Sequence, residues 1–433
     1  MSAEVIGAIA FFLVFGFIIL EVPVGVSMGL VGFTGIVYFL DLPSALSIIG
    51  TTPWEAVSSY TLAVMPLFVL MGCISTESGI SADIYKGMQA LFGHKRGGLS
   101  YATIGASAGF GMICGSSLAT TATMGKLALP EMDKYGYKRF LSCGSIAAGG
   151  TLGIMIPPSV ILVIYAFMAE QSIKELFMGA VFPALLAVSL YFFAVKVILF
   201  FSPDAAPVGK KAPWAQRRHD LKGLISVSLV FIIVMGGLYG GIFTANEAAA
   251  IGVLVVLFAG LIKRTLNLNG LKRAIWNTVR IAGALYFIVI GASLFNIFLA
   301  LSGVPFALVE LFNMLDLSPI GVLLLMLVIY VVLGSMMDSL AMLLLTIPMF
   351  LPVVVANGID PVWFGIFAVV VVELGLITPP IGLNLFVIKA THADVRLPEM
   401  WKGVIPFVLS DVIRILVLLV FPQLVLWLPK VVL

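Results

Sequence analysis

The stretch Cys114-Gly-Ser-Ser-Leu-Ala-Thr-Thr-Ala-Thr-Met-Gly-Lys-Leu-Ala-Leu-Pro130 is small and hydroxyl-rich within a strongly apolar chain. Hydrocarbon offers no hydrogen-bond partners, so irregular backbone at membrane depth is tolerated only inside protein or beside a water-filled cavity. The stretch therefore predicts a site for an ion or a polar solute. A second stretch, Gly334-Ser-Met-Met-Asp338 continuing to Thr346-Ile-Pro348, resembles it in the later half of the chain.

The composition predicts an all-α polytopic membrane protein. Of its 433 residues, 61% are hydrophobic and 10% are charged, against about 25% charged in soluble domains. The mean hydropathy is +1.17. A net charge of +3 is too small to indicate nucleic acid as a partner. The sequence has no HExxH, GxSxG or Walker A motif, so we expect no enzyme activity and ion-driven rather than ATP-driven transport.

Apolar segments recur along the whole chain. No basic region precedes the first of them, so it is interpreted as a span and not as a signal peptide. A basic amphipathic segment, 83–96, is expected to lie in the membrane interface, and a second basic amphipathic segment is predicted at 263–280. The predicted spans are Ile6–Leu20, Val24–Leu40, Trp54–Thr76, Leu176–Phe201, Leu224–Tyr239, Ala248–Ile262, Ile281–Leu301 and Trp401–Leu428.

Four further segments are interrupted by glycine, serine or proline. Residues 99–132 give only about 50 Å of helix, which cannot cross a ~30 Å core twice, so they are predicted to form a re-entrant hairpin. Residues 319–354 are predicted to form a second hairpin. Residues 140–168 and 363–388 are each broken in the middle, at Gly149–Gly153 with Pro157-Pro158 and at Gly375–Gly382.

These interruptions recur at a nearly constant separation, which predicts an internal repeat. Gly115 and Gly334 are 219 positions apart, Pro130 and Pro348 are 218 apart, and Gly153 and Gly375, like Pro157 and Pro379, are 222 apart. The predicted repeats span residues 1–202 and 223–433, joined by a polar cytoplasmic linker at 203–222. This alignment places Ala119 opposite Asp338, so the two predicted cation sites are not chemically equivalent.

Basic residues predict that the two repeats are inverted. No Lys or Arg occurs between Arg280 and Lys389, whereas Lys95, Arg96, Lys134 and Arg139 flank the first hairpin. By the positive-inside rule, the first hairpin enters from the cytoplasm and the second from the opposite side. About ten crossings plus two hairpins then place both termini outside. Inverted repeats with paired interruptions are typical of secondary transporters.

Each hairpin tip, facing the broken helix of its own repeat, is a candidate Na⁺ site, because hard cations bind oxygen. The candidate Na⁺ residues are Gly115, Ser116, Ser117, Thr120, Gly150 and Thr151 in the first repeat, and Gly334, Ser335, Asp338, Gly375 and Thr378 in the second, with Ser339 beside them. Asp338 either binds the coupling ion or caps a half-helix. Glu373 either has a similar role or pairs with an interfacial lysine. Each hydroxyl alone could instead bond its own helix.

The candidate substrate-binding residues are Ser117, Lys126, Pro157, Pro158, Pro379 and Asn384. Lys126 either faces the cavity and holds an anion or snorkels to the interface as an anchor. Asn384 either contacts substrate or bonds backbone exposed by the break. Both alternatives stay open at the level of sequence, as does the identity of the substrate.

Several motifs resemble the large membrane subunit of TRAP (tripartite ATP-independent periplasmic) transporters. They are Cys114–Gly125, Pro130-Glu-Met, Ile156-Pro-Pro-Ser159, Gly241-Ile-Phe-Thr-Ala-Asn-Glu-Ala-Ala-Ala250, Asn357-Gly-Ile-Asp-Pro-Val-Trp-Phe-Gly365 and Glu373-Leu-Gly-Leu-Ile-Thr-Pro-Pro-Ile-Gly-Leu-Asn-Leu-Phe386. The resemblance covers nearly the whole chain.

The resemblance implies a bacterial inner-membrane subunit that imports an organic acid anion, such as a C4-dicarboxylate or sialic acid, with a Na⁺ gradient. It implies two partners, a small four-helix membrane subunit and a periplasmic solute-binding protein, and an elevator-type fold like that of the ion transporter superfamily. Since the chain starts with its first span, we expect the small subunit to be separate. Two alternatives remain: a stand-alone ion-coupled carrier or antiporter, and a passive channel or scaffold subunit.

Overall fold

The computed structural model describes residues 2–209, 211 and 213–432 of the chain. Within these ranges the chain is helical and forms no strand, only an isolated bridge between Arg96 and Val208. The all-helical class predicted from composition is therefore confirmed. The helices are α1 (Ala3–Ile19), α2 (Val24–Phe39), α3 (Leu42–Ser58), α4 (Val64–Glu77), α5 (Ile80–Phe92), α6 (Gly98–Cys114), α7 (Ser117–Lys134), α8 (Arg139–Met155), α9 (Val160–Met168), α10 (Ile173–Phe201), α11 (Trp214–Tyr239), α12 (Ala245–Ile262), α13 (Leu268–Ser302), α14 (Val304–Met314), α15 (Pro319–Met336), α16 (Ser339–Ala356), α17 (Pro361–Ile377), α18 (Leu383–Thr391), α19 (Leu397–Val420) and α20 (Gln423–Val432).

Many of these helices suit a membrane. Among the described residues, seven helices are long and apolar enough to cross a bilayer, or up to nine if each of two bent pairs is one span. Large apolar side chains such as Phe12, Phe200 and Ile262 are more than two-thirds exposed. Exposed apolar surface on this scale suits contact with lipid and not with water. The predicted number of ten crossings stays a prediction.

The predicted span Trp54–Thr76 is wrong. The structure ends α3 at Ser58 and begins α4 at Val64, and α4 then bends by 68° into α5. Pro66 explains the interruption, because it has no backbone N–H and its ring clashes with the carbonyl four residues earlier. A helix can therefore begin just before Pro66 but cannot run through it without distortion.

The basic amphipathic segment predicted at 263–280 is also wrong as a separate element. It merges with the predicted span 281–301 into α13, which has 35 residues and a length of about 52 Å. Asn267 starts the helix by accepting a hydrogen bond from Gly270 N at 2.7 Å. No proline follows within the helix, so nothing separates its basic first turns from its apolar remainder.

Other boundaries differ less. The linker predicted at 203–222 is shorter, because α11 begins at Trp214 directly after Pro213. The final predicted span divides into α19 and α20 at Pro422. Helix α14 was not predicted.

The structure has a helix pair with a tight turn at each predicted hairpin and an interrupted helix at each predicted break, while re-entry of the hairpins stays a prediction. The hairpins are α6–α7 and α15–α16, and the broken helices are α8–α9 and α17–α18. Helix α8 packs against both arms of the first hairpin, and α17 packs against both arms of the second. The second arm of each broken helix crosses over, so that α9 packs on α16 and α18 packs on α7. These contacts join both hairpins and both broken helices into one body.

A second body is organised by α2 and α13, which lie in close contact through small residues. A Cβ added to Gly32 of α2 would lie 2.6 Å from the backbone N of Phe295, and one added to Gly291 of α13 would lie 2.1 Å from the carbonyl of Gly25. Such close backbone approach is how membrane helices associate without a hydrophobic driving force. Helix α4 also packs on α13.

Candidate ion and substrate site

The first hairpin turns within two residues. Gly115 ends α6 with φ of +61°, a conformation that favours glycine. Ser116 then caps α7, because its hydroxyl accepts a hydrogen bond from Ala119 N at 3.4 Å. The tip lies against the first helix break, since a Cβ added to Gly115 would be 3.1 Å from the carbonyl oxygen of Pro158.

The second hairpin turns in the same number of residues. Helix α15 ends at Met336, and Asp338 caps α16 by accepting a hydrogen bond from Ala341 N at 2.7 Å. The capping role considered for Asp338 is therefore present. Ser116 and Asp338 are 222 positions apart, the same separation as between the two double-proline breaks. Asp338 thus corresponds to Ser116, and the alignment with Ala119 was wrong by three residues.

Each hairpin meets its broken helix where two helices end. A Cβ on Gly111 of α6 would lie 2.8 Å from Cα of Gly153 in α8, and a Cβ on Gly375 of α17 would lie 2.7 Å from Cα of Gly334 in α15. All four glycines lie in the last turn of their helices. Only glycine permits this approach, which brings two helix C-termini together behind each tip.

The two breaks differ in their environment. Residues 156–159 of the first break are fully buried, whereas Thr378 and Pro379 of the second are partly exposed. Both breaks contain a cis bond between their two prolines. In the second, the Thr378 hydroxyl donates to Leu374 O at 2.6 Å. In the first, Ser159 caps α9 by accepting from Leu162 N at 3.4 Å.

A cavity of about 230 Å³ lies between the two hairpin tips. Gly115–Ala119 and Asp338–Leu340 line it together with the start of α9, and α4 and α13 close it from the second body. Three helices begin at this cavity: α7 at Ser117, α9 at Val160 and α16 at Ser339. Helix N-termini carry positive partial charge and N–H groups without helical partners, which are features that anion-binding sites use.

The structure brings only some of the predicted site residues to the cavity. Gly115, Ser116, Ser117, Asp338 and Ser339 line it. The candidate hydroxyls outside this lining bond helix backbone: Thr120 donates to Ser116 O at 2.7 Å, Ser335 to Val332 O at 2.8 Å and Thr151 to Ala148 O at 2.8 Å. Gly150 packs against Thr121. Lys126 is exposed on α7, away from the residues that line the cavity.

Asn384 links the two halves of the chain beside the first tip. The Ser117 hydroxyl donates to Asn384 Oδ1 at 3.1 Å, and Asn384 Nδ2 donates to Ala147 O at 3.2 Å. Both residues are buried. Asn384, at the start of α18, therefore orients Ser117, the first residue of α7, and Ser117 lines the cavity.

Other contributors were not found from sequence. Cys73 and Thr76 of α4 and Ile281 and Leu285 of α13 line the cavity, although nothing in their local sequence distinguishes them. Glu373 pairs with Arg414 and not with an interfacial lysine. Arg414 did carry a detectable signal, because a charge within an apolar helix is expensive and has a functional or structural reason.

At the base of the first hairpin, Arg139 joins three segments. It contacts Asp133 Oδ2 at 3.3 Å and Asp394 Oδ2 at 2.5 Å, linking α7, α8 and the loop after α18. The hydrogen bond from Arg139 lowers the pKa of Asp394, which lies outside the membrane-spanning segments. Arg139 thus connects the loop after α18 with α7 of the first hairpin through its two carboxylate contacts.

The donor set of the site suits an alkali cation better than a transition metal. Among the described residues, no group of three or more His, Cys, Asp or Glu side chains is placed to hold a metal. The tips and breaks instead offer backbone carbonyls, hydroxyls and the Asp338 carboxylate. Oxygen ligands of this kind suit hard cations, including the Na⁺ predicted from sequence.

Comparison with known proteins identifies relatives of the whole chain. A family model described as "Tripartite ATP-independent periplasmic transporter, DctM component" matches residues 11–424. The C4-dicarboxylate TRAP transporter large permease protein DctM of Pseudomonas aeruginosa is 33% identical over 93% of this chain and 94% of its own length. The sialic acid TRAP transporter large permease protein SiaM of Vibrio cholerae is 32% identical over 96% of both chains.

A solved structure has the same overall fold. The YdaH transporter of Alcanivorax borkumensis superposes with a TM-score of 0.62 over 89% of this chain and 90% of its own, at 14% identity. That similarity supports a transporter-like arrangement of helices and carries no information about substrate.

Proposed function

The chain belongs to the DctM family, the large permease subunits of TRAP transporters, and on that premise we propose that it imports an organic acid anion coupled to Na⁺. The observation that carries the proposal is the separation of helix ends around the two tips. Two C-termini meet behind each tip, and three N-termini open into the cavity between the tips. Negative and positive partial charges are thus sorted into cation sites and an anion site.

The first Na⁺ site would lie between Gly115–Ser116 and the end of α8, and the second between the end of α15 and Gly375–Thr378. Helix C-termini leave carbonyl oxygens without helical partners, and unwound segments supply more. The second site has an additional negative charge from Asp338, which is partly buried at its tip. We expect the second site to bind Na⁺ more tightly than the first.

The anion would occupy the cavity, with its carboxylate toward the N-termini of α7, α9 and α16. Ser117 and Ser339 add hydroxyls there. The relatives that transport C4-dicarboxylate and sialic acid share a substrate carboxylate, which is the group this cavity favours. Lys126 is exposed elsewhere and is not assigned to the substrate.

Asp338 provides a physical reason for coupling. Its carboxylate lines the same cavity as the proposed anion, so two negative charges would face each other in a site of low dielectric. A bound Na⁺ cancels this repulsion. The anion therefore binds well only when the second cation site is filled, which is the requirement for symport.

The body formed by the hairpins and broken helices would slide against the body formed by α2, α4 and α13, in an elevator-like motion. The crossing contacts α9–α16 and α18–α7 support movement of the two hairpins as one unit. The same crossed arrangement supports the proposed inverted repeats. We place the protein in the bacterial inner membrane with the first hairpin entering from the cytoplasm, as the flanking basic residues indicate.

The proposed partners, a small four-helix membrane subunit and a periplasmic solute-binding protein, follow from family membership. The test is uptake into proteoliposomes that contain this chain and the small subunit, with the binding protein and its organic acid outside. We expect uptake that follows an inward Na⁺ gradient and stops when K⁺ replaces Na⁺. Uptake that ignores the gradient would favour a passive channel, and uptake without the binding protein would favour a stand-alone carrier.

A further inference from the structure

A fully buried ionic cluster lies outside the cavity. Arg414 of α19 contacts Glu373 Oε2 of α17 at 2.7 Å and Asp411 Oδ1 of its own helix at 3.0 Å. The three side chains are at most 1% exposed. None of them lines the cavity between the tips.

Hydrogen bonds extend this cluster to the first repeat. The Tyr191 hydroxyl of α10 donates to the Asp411 carboxylate, with O–O distances of 2.9 and 2.8 Å. The same hydroxyl lies 3.0 Å from Thr151 Oγ1 of α8, and since its own hydrogen goes to Asp411, this link forms when Thr151 donates to Tyr191 instead of to Ala148 O. One continuous network therefore crosses four helices, through Thr151, Tyr191, Asp411, Arg414 and Glu373.

The two end residues of this network occupy equivalent positions in their helices. Thr151 and Glu373 are 222 positions apart, like Ser116 and Asp338. Each lies five residues before the break of its own helix, which begins at Ile156 in one case and at Thr378 in the other. The network thus connects the two helix breaks that would hold the cations.

Stability alone does not account for such a cluster. Burying an ion pair costs several kcal/mol per charge, and replacing buried ionic groups with apolar ones is often neutral or stabilising. Among the described residues, Glu373 Oε1 and the Nε and Nη1 atoms of Arg414 have no hydrogen-bond partner, so the desolvation cost is not fully recovered. What a directional network provides is one defined arrangement of the helices that carry it.

We propose that Tyr191, Asp411 and Arg414 are positioning residues that hold the two breaks at a fixed separation, so that Na⁺ binding at one break favours Na⁺ binding at the other. This inference rests on the proposed Na⁺ sites. Neither Tyr191 nor Arg414 touches the ions or the substrate. Their effect passes through Thr151 and Glu373 to the backbone of the two breaks.

Tyr191→Phe tests the proposal, because it removes one hydroxyl and leaves every charge in place. The measurement is the melting temperature of the purified full chain in detergent as NaCl replaces choline chloride at constant ionic strength, since Na⁺ that binds the folded state raises that temperature. We expect a given rise in melting temperature to require about fivefold more Na⁺, which corresponds to ~1 kcal/mol, and the melting temperature to depend less steeply on NaCl concentration. Thr151→Val cuts the same link and should produce a similar shift.

Tyr239→Phe is the matched control. It removes a tyrosine hydroxyl that donates to Phe177 O at 2.9 Å, in α11 and away from the network. It should leave the Na⁺ titration unchanged. If Tyr191→Phe lowers the melting temperature without Na⁺ but keeps the wild-type Na⁺ titration, the network is only structural and the inference is overturned. If the wild-type protein shows no Na⁺ dependence, the proposed Na⁺ coupling itself fails.

Discussion

Asp338→Asn separates charge from capping at the second hairpin tip. Asparagine caps helices about as well as aspartate, so the bond from Ala341 N should persist and stability should change little. The lost charge matters more. For a cation placed about 8 Å from the carboxylate, and with an effective dielectric constant of about 20, one charge contributes about 2 kcal/mol. We therefore expect half-saturating Na⁺ for uptake to rise about 30-fold.

The assay is Na⁺-dependent uptake by the reconstituted complex at saturating organic acid. Asp360→Asn is the matched control, because Asp360 caps α17 through Val362 N at 2.8 Å and does not line the cavity. Asp338→Ala removes both cap and charge, and should lose about 1 kcal/mol of stability in addition. A wild-type Na⁺ dependence in Asp338→Asn would refute the charge argument and leave Asp338 as a helix cap.

Three further perturbations address the close contacts of the site. Gly375→Ala places a Cβ 2.7 Å from the opposing backbone and should weaken Na⁺ binding at least tenfold. Gly236→Ala is the control, because its added Cβ meets no described atom within 4 Å and should leave Na⁺ binding unchanged. Equal Na⁺ titrations of the two variants would contradict the proposed second site. Cys73 on α4 and Cys114 on α6 both line the cavity, so a reducible thiol cross-linker between them should block uptake until reductant is added. Undiminished uptake by cross-linked protein would exclude sliding of one helical body against the other. Asp394, whose pKa is lowered in the folded state, contributes stability above its unfolded pKa of about 3.9 and loses it as pH falls through the folded value. Asp394→Asn should therefore lower the melting temperature slightly at pH 7 and not near pH 2; a pH-independent difference would show that the ion pair is not its cause.

Sequence patterns located the hairpins and broken helices because glycine and proline act locally. Pro157 and Pro158 cannot continue a helix wherever the surrounding protein places them, and the same holds for the second pair. The separation of 222 positions between the pairs was therefore visible without a structure. Contacts between repeats, such as Ser117 with Asn384, were not, because nothing local to either residue specifies the other.

The alignment of the two tips shows a different limit. A shared Gly-Ser pair matched Gly115 with Gly334, but the second hairpin turns three residues later, at Asp338, than that match implies. What corresponds between the repeats is the role of N-cap, filled by Ser116 in one and Asp338 in the other. Two residue types that perform the same capping task do not look alike in sequence.

The Asp411–Arg414 pair illustrates a third limit. Two charges in an apolar helix indicate that other polar side chains pair with them, but the identity of those side chains depends on which helices pack together. Glu373 and Tyr191 become neighbours only after α17 and α10 assemble around α19. Spacing within one helix contains no information about that assembly.

The three helix N-termini at the cavity have a consequence for how the substrate specificity of this permease could change. Main-chain N–H groups are present whatever the side chains are, so recognition of a negatively charged head group survives most substitutions. The walls that face the rest of the solute belong partly to other helices, through Val69 of α4 and Ile281 and Leu285 of α13. Exchanging these wall residues should change size and shape selectivity and leave the proposed ion sites unaltered. Engineering a permease for a different acid should therefore begin on α4 and α13 and leave both tips untouched.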